Sequence, residues 1–326
     1  MHLTITRDTF QLAERFTISR GSRTQAEVLT VTLEDGGDKG RGECVPYARY
    51  DETLDSVEAQ INALSADLRN GLDRQNLQSS LDAGAARNAI DCALWDLQAK
   101  KADTRVWQLA GLTQPATLTS AFTLSLDEPE TMRAKARQNA ARPLLKIKLG
   151  GGETDMARLR AVREGAPESV IIVDANEGWS RAEYDSLAPL LLELGVAMVE
   201  QPFPAGDDAV LAEMERPLPV CADESCHDVN SLPSLAGKYD VVNIKLDKTG
   251  GLTEALALEK AAREQGYEIM VGCMIGSSLA MAPATLVSAN ARYVDLDGPL
   301  LLAEDRSTPL QYDGSIIHPP ASDLWG

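Results

Sequence analysis

Leu144-Leu145-Lys146-Ile147-Lys148 is a short apolar run that stops on a lysine, and the chain repeats this device. Val170-Ile171-Ile172-Val173 stops on Asp174, Ala197-Met198-Val199 on Glu200, Val220-Cys221-Ala222 on Asp223 and Val241-Val242-Asn243-Ile244 on Lys245. A later run from Tyr293 stops on Asp297. The steps from Lys148 to Lys245 are 26, 26, 23 and 22 residues. A strand, a loop and a helix together take roughly 20–30 residues in a βα unit. Each run therefore reads as one parallel strand with a charge at its carboxyl end, where barrels and open parallel sheets place their ligands.

Working outward, two more strands are expected at residues 118–124 and 268–272. With the six runs they make eight, separated by helical stretches such as 156–163, 181–194 and 253–265. Eight strands in strict alternation predict an α/β barrel rather than a doubly wound open sheet. The opening residues differ. Residues 3–12, 16–33 and 40–46 read as strands, with Asp35-Gly36-Gly37-Asp38 as a turn, and 56–68 and 85–101 as helices. The expected division is an α+β unit over 1–115, a barrel over 116–299, and a final segment, 300–326, that returns to the first unit. Gly150-Gly151-Gly152 and Gly250-Gly251 have neither P-loop nor dinucleotide-binding spacing and are expected to serve loop geometry.

The chain has 326 residues and a net charge of −18, which makes nucleic acid and anionic membranes poor partners. No apolar stretch is long enough to span a bilayer, and Met1-His2-Leu3-Thr4 opens no signal peptide, so a cytoplasmic protein is expected. The five cysteines form no C-x-x-C pair and read as thiols in a reducing compartment. Nothing in the sequence sets the oligomeric state, and a homo-oligomer is compatible with it.

Asp174, Glu200 and Asp223 end three consecutive strands. Any one of them alone reads better as a capping or turn acid. Three in register would repel one another without a cation, and an all-oxygen donor set selects a hard one, Mg²⁺ by default. Lys146 and Lys148 are two apart on a strand, so they share a face, and the apolar residues between and beside them face covering helices. Lys245 lies four strands further round, across an eight-membered ring. Two lysines on opposite sides of a substrate suit proton transfer at a carbon beside a carboxylate, with the cation stabilising an enediolate. A lysine works as a base there only if its pKa falls toward about 7–8.

These residues resemble the enolase superfamily. Lys146-Ile147-Lys148 is similar to its K-x-K motif. Asp174-Ala175-Asn176, Glu200-Gln201-Pro202 and Ala222-Asp223-Glu224-Ser225 are similar to its metal-ligand segments, and Asn243-Ile244-Lys245 to its sixth-strand lysine. The resemblance implies a modified TIM barrel, (β/α)₇β, with an N-terminal α+β capping domain. Within the superfamily the chain resembles the L-Ala-D/L-Glu dipeptide epimerases. Ser19-Arg20-Gly21-Ser22-Arg23, Gly42-Glu43-Cys44-Val45-Pro46-Tyr47, Leu246-Asp247-Lys248-Thr249-Gly250-Gly251 and Asp295-Leu296-Asp297-Gly298 match as well.

The resemblance makes Lys148 and Lys245 the catalytic pair, Asp174, Glu200 and Asp223 the ligands of one Mg²⁺, and Asp297 with Asp295 the receptor of the dipeptide's α-ammonium. It assigns the glutamate side chain to Arg23, with Arg20 as the second candidate. Lys146 and Thr123 are expected beside the substrate, with Tyr47 and Tyr50 covering it. The implied activity is interconversion of L-Ala-D-Glu and L-Ala-L-Glu in murein peptide recycling. The rivals are an N-acylamino acid racemase, an o-succinylbenzoate synthase, a muconate cycloisomerase, or a barrel that binds dipeptides without turning them over.

Overall fold

The computed structural model describes all 326 residues. Strands β1 (His2–Ile18), β2 (Gly21–Asp35) and β3 (Asp38–Cys44) form an antiparallel sheet in the order β1-β2-β3. Leu29, Val31 and Leu33 alternate along β2 and pack on Ile90, Leu94 and Leu97 of the helix Ala85–Lys101. Here two expectations are corrected. β1 runs on through Phe16 with a register shift after Gln11, and the expected strand over 16–33 breaks at Ser19–Arg20. That turn sets Ser19 and Arg20 over the barrel loops. The expected helix over 56–68 is two helices, Leu54–Ala63 and Ser65–Arg69.

The barrel is an eight-stranded parallel sheet of β5 (Phe122–Leu124), β6 (Leu144–Lys148), β7 (Val170–Asp174), β8 (Val196–Glu200), β9 (Val220–Ala222), β10 (Val241–Ile244), β11 (Glu268–Val271) and β12 (Tyr293–Val294), in sequence order. A bridge between Ser120 and Val294, with Ala121 N–H donating to Val294 O at 2.7 Å, closes the ring. The expected strand over 118–124 divides in two. β4 (Leu118–Thr119) leaves the ring to pair antiparallel with β14 (Ile316–Ile317), which pairs in turn with β13 (Tyr312–Asp313).

The period of two decides what the barrel holds. Ala121, Leu144, Ile172, Met198, Cys221, Val241, Met270 and Tyr293 form one packed layer inside it, one residue for each strand. Two residues further along each strand, the inward positions carry Thr123, Lys146, Asp174, Glu200, Asp223, Asn243, Gly272 and Asp295. Leu145, Ile147 and Leu149 face outward into the large core that the helices share.

The loops with runs of glycine hold no anion cradle. The amides of Gly151 and Gly152 already donate to Asp155 and Glu183, each at 2.8 Å. Gly250 and Gly251 have φ of 74° and 113° and seat the capping helix. Arg87 donates to Thr249 O and Gly250 O, and Asp91 accepts from Thr253 N–H. The last residues touch both units. Gly326 N–H donates to Asp96 and Trp325 Nε1 to Cys92 O, while Arg306 pairs with buried Glu43 at 2.7 Å. All five cysteines are free, and no helix is long and apolar enough to cross a membrane.

Candidate active site

A cavity of about 420 Å³ lies between the carboxyl ends of the barrel strands and the capping-domain loops. Its barrel side includes Thr123, Lys146, Lys148, Lys245, Asp295 and Asp297. Its capping side includes Arg20, Arg23, Tyr47 and Tyr50. The substrate-facing residues expected from sequence therefore all meet at this one opening. Asp174 and Glu200 lie just beneath it, and both are fully buried.

The three strand-end acids offer oxygens within 4.8 Å of one another. Each is tied to a lysine. Lys148 Nζ lies 2.5 Å from Asp174 Oδ2, Lys146 Nζ 2.7 Å from Glu200 Oε2, and Lys245 Nζ 2.6 Å from Asp223 Oδ2. Burial favours neutral acids, but Lys148 and Lys146 hold Asp174 down to about 2, and Lys245 and Lys248 hold Asp223 well below the usual carboxylate range. Glu200 goes the other way, raised by burial and by the charge of Asp174. Its Oε2 is buried and accepts no hydrogen bond, because the contact with Lys146 is close but poorly directed. A clustered all-carboxylate set with an oxygen lacking a hydrogen bond fits a hard divalent cation.

Burial and the like charge of Lys146 pull Lys245 down, but Asp223, Glu200 and Tyr50 together outweigh them and raise it well above the ordinary lysine value.

Asp295 and Asp297 share a face yet differ in company. Asp295 Oδ2 is 2.8 Å from Lys146 Nζ. Asp297 accepts only from the Thr123 backbone N–H, at 2.6 Å, and forms no ion pair. Burial and the neighbouring Asp295 push Asp297 up to about 7.

The two arginines of the β1–β2 hairpin also differ. Arg20 is engaged with Glu224 at 2.8 Å, Glu177 at 3.1 Å and the Asn176 carbonyl at 2.8 Å. Arg23 is exposed, its side chain makes no hydrogen bond, and its guanidinium lies 5.7 Å from the Tyr47 ring centre. His227, the histidine nearest a strand end, stacks edge-on against Tyr50 and lies 3.2 Å from Glu224 O.

Sequence reasoning gave no role to Lys248, Asn243 or Gln201. Lys248 is buried and donates to Asp223 Oδ1 at 2.7 Å and to Asn243 O at 2.9 Å. Asn243 Nδ2 donates to Glu200 Oε1 at 2.7 Å. Inward alternation along β10 was the available signal for Asn243.

Two family models cover most of the chain. The mandelate racemase/muconate lactonizing enzyme N-terminal domain matches residues 1–111, and the enolase C-terminal domain-like model matches 131–322. The L-Ala-D/L-Glu epimerase of Escherichia coli (strain K12) is 48% identical over 305 residues, 93% of this chain and 95% of that protein. An N-acetyl-D-glutamate racemase from Pseudoalteromonas sp is 46% identical, over 92% of this chain and 95% of that protein. An enolase family member from Agrobacterium tumefaciens, with bound sodium and L-Ala-L-Glu, superposes with a TM-score of 0.98 at 52% identity, covering 100% of this chain and 99% of that one. The dipeptide epimerase of Enterococcus faecalis V583, with Mg and L-Leu-L-Tyr, superposes with a TM-score of 0.91 at 29% identity, covering 99% and 98%.

This chain belongs to the enolase superfamily, with the superfamily's capped barrel and acidic triad. It is an isomerase, similar over nearly its whole length to racemases and epimerases of amino acid derivatives.

Proposed function

We propose that this isomerase is a Mg²⁺-dependent dipeptide epimerase that interconverts L-Ala-D-Glu and L-Ala-L-Glu. The observation that carries the reading is Asp297, a buried carboxylate that lines the cavity and forms no ion pair with a cation of the protein. A dipeptide brings an α-ammonium, the partner that such a group needs.

Asp174, Glu200 and Asp223 are the residues that would hold the Mg²⁺, one per chain. When bound there, it supplies positive charge to the substrate carboxylate, where negative charge builds as the α-proton leaves. Lys148 takes the α-proton from one face of the glutamyl residue, and Lys245 returns a proton to the other, which inverts that carbon. Lys146 stays paired with Asp295 and Glu200 and screens the acids from one another. Thr123 fixes Asp297 through its backbone N–H. Arg23, unlike Arg20, has its guanidinium free for the glutamate side chain.

In this reading residues 1–115 with 300–326 form the cap, and 116–299 form the catalytic unit. The substrate fits recycling of murein peptides in the cytoplasm.

The similarity to an N-acetyl-D-glutamate racemase supports a second reading, racemisation of N-acylamino acids. Either dipeptide epimer, given alone with Mg²⁺, should yield the same mixture of L-Ala-L-Glu and L-Ala-D-Glu by proton NMR. No conversion of either epimer, with turnover of N-acetylglutamate instead, would favour the second reading.

A further inference from the structure

β7 and β8 end on Asp174 and Glu200, Asp223 directly follows β9, and one residue, through its side chain and its backbone, ties the three segments together. Gln201 follows Glu200 directly and is fully buried. Its φ is 34°, a left-handed conformation that a non-glycine residue adopts only when its surroundings enforce it. Its Oε1 accepts from Asp223 N–H at 2.9 Å and from Ser225 N–H at 3.1 Å. Its backbone N–H donates to Cys221 O, and its carbonyl accepts from Glu177 N–H, both at 2.9 Å. Asn176 and Glu177, just after Asp174, are also left-handed, with φ of 46° and 65°.

The other half of the amide faces away from the acids. Nε2 lies 2.9 Å from each of Phe203 O, Ser225 Oγ and the Tyr239 hydroxyl, three acceptors that share its two hydrogens. The amide thus has a face that grips the Asp223 segment and a face anchored in the packed region behind it.

We propose that Gln201 is a positioning residue that keeps the three carboxylate loops in one arrangement for a divalent cation; this rests on the metal reading above. Its side-chain oxygen fixes where Asp223 leaves β9, and its backbone fixes the segment that follows Asp174. The side chain bonds no carboxylate oxygen of the triad and does not line the cavity. Groups that orient metal ligands commonly change metal affinity by about 10–100-fold when removed.

The test is Mn²⁺ binding to the full chain, read from the EPR signal of the free ion, with thermal unfolding measured alongside. Gln201→Asn withdraws the amide by one methylene, so its oxygen no longer reaches both N–H groups. It should weaken Mn²⁺ binding about tenfold or more. Tyr239→Phe removes the hydroxyl that contacts Gln201 Nε2, Ser225 Oγ and Asp208, and leaves the bonds from the Asp223 and Ser225 N–H groups to Gln201 Oε1. It should lower the unfolding temperature without moving Mn²⁺ affinity. Wild-type affinity in Gln201→Asn, or equal losses in Gln201→Asn and Tyr239→Phe, would overturn the proposal. A wild-type protein that takes up no Mn²⁺ would instead overturn the metal reading itself.

Discussion

Lys146 Nζ holds Asp295 at 2.8 Å, and Asp297, two residues along the same inward face, is left without a cation. An acid in that state is a receptor for an ammonium group. N-acetylation of L-Ala-L-Glu removes that charge and keeps the carboxylates and the α-proton. Leaving a buried carboxylate unpaired costs several kcal/mol, so kcat/KM should fall by about a hundredfold or more. Asp297→Asn should lose most activity on the free dipeptide. Because Asp297 is pushed up to about 7, it gains its charge as pH rises through neutrality. KM for the free dipeptide should therefore fall between about pH 6 and about pH 8, and Asp297→Asn should flatten that slope. Equal kcat/KM for free and acetylated dipeptides would contradict the assignment.

The triad predicts metal dependence. Chelation should abolish turnover, and Mg²⁺ should restore it. Asp174→Asn, Glu200→Gln and Asp223→Asn each remove one charge from the buried set and should reduce kcat by at least about a thousandfold while the fold persists. Circular dichroism checks the fold, and turnover by a verified metal-free sample would refute the dependence.

Arg23 and Arg20 should separate by mutation. Arg23→Met should raise KM for L-Ala-L-Glu by about tenfold or more, and much less for a dipeptide with an uncharged second residue. Arg20→Met breaks contacts to Glu224, Glu177 and Asn176, so both substrates should suffer together. An equal KM change on both substrates in Arg23→Met would move the side-chain contact elsewhere.

The barrel and its charged mouth were legible because parallel strands put one residue type at one place. Each strand-end acid or lysine is marked by the apolar run before it. The period of two along β6 also gave the shared direction of Lys146 and Lys148. What could not be read depends on contacts between distant segments. Residues 118–124 look like one strand, and only the tail strand at Ile316–Ile317 shows why they divide. Arg20 and Arg23 look equivalent three residues apart in a polar hairpin. They differ because the barrel loops offer Glu177 and Glu224 to one and nothing to the other. Lys248 sits one helical turn past Lys245, and its bond to Asp223 comes from a short helix, Leu246–Thr249, that no periodicity announces.

The central claim is that Lys148 and Lys245 work on opposite faces of one α-carbon, and proton exchange in D₂O tests it most directly. With wild-type enzyme and Mg²⁺, the L-Ala-D-Glu formed from L-Ala-L-Glu should carry deuterium at the glutamyl α-carbon. Lys148→Ala should lose epimerisation yet still exchange the α-proton of L-Ala-D-Glu. Lys245→Ala should do the converse with L-Ala-L-Glu. Epimerisation at wild-type rates by both variants, or an α-proton that never exchanges with solvent in the active wild-type enzyme, would contradict the two-base account.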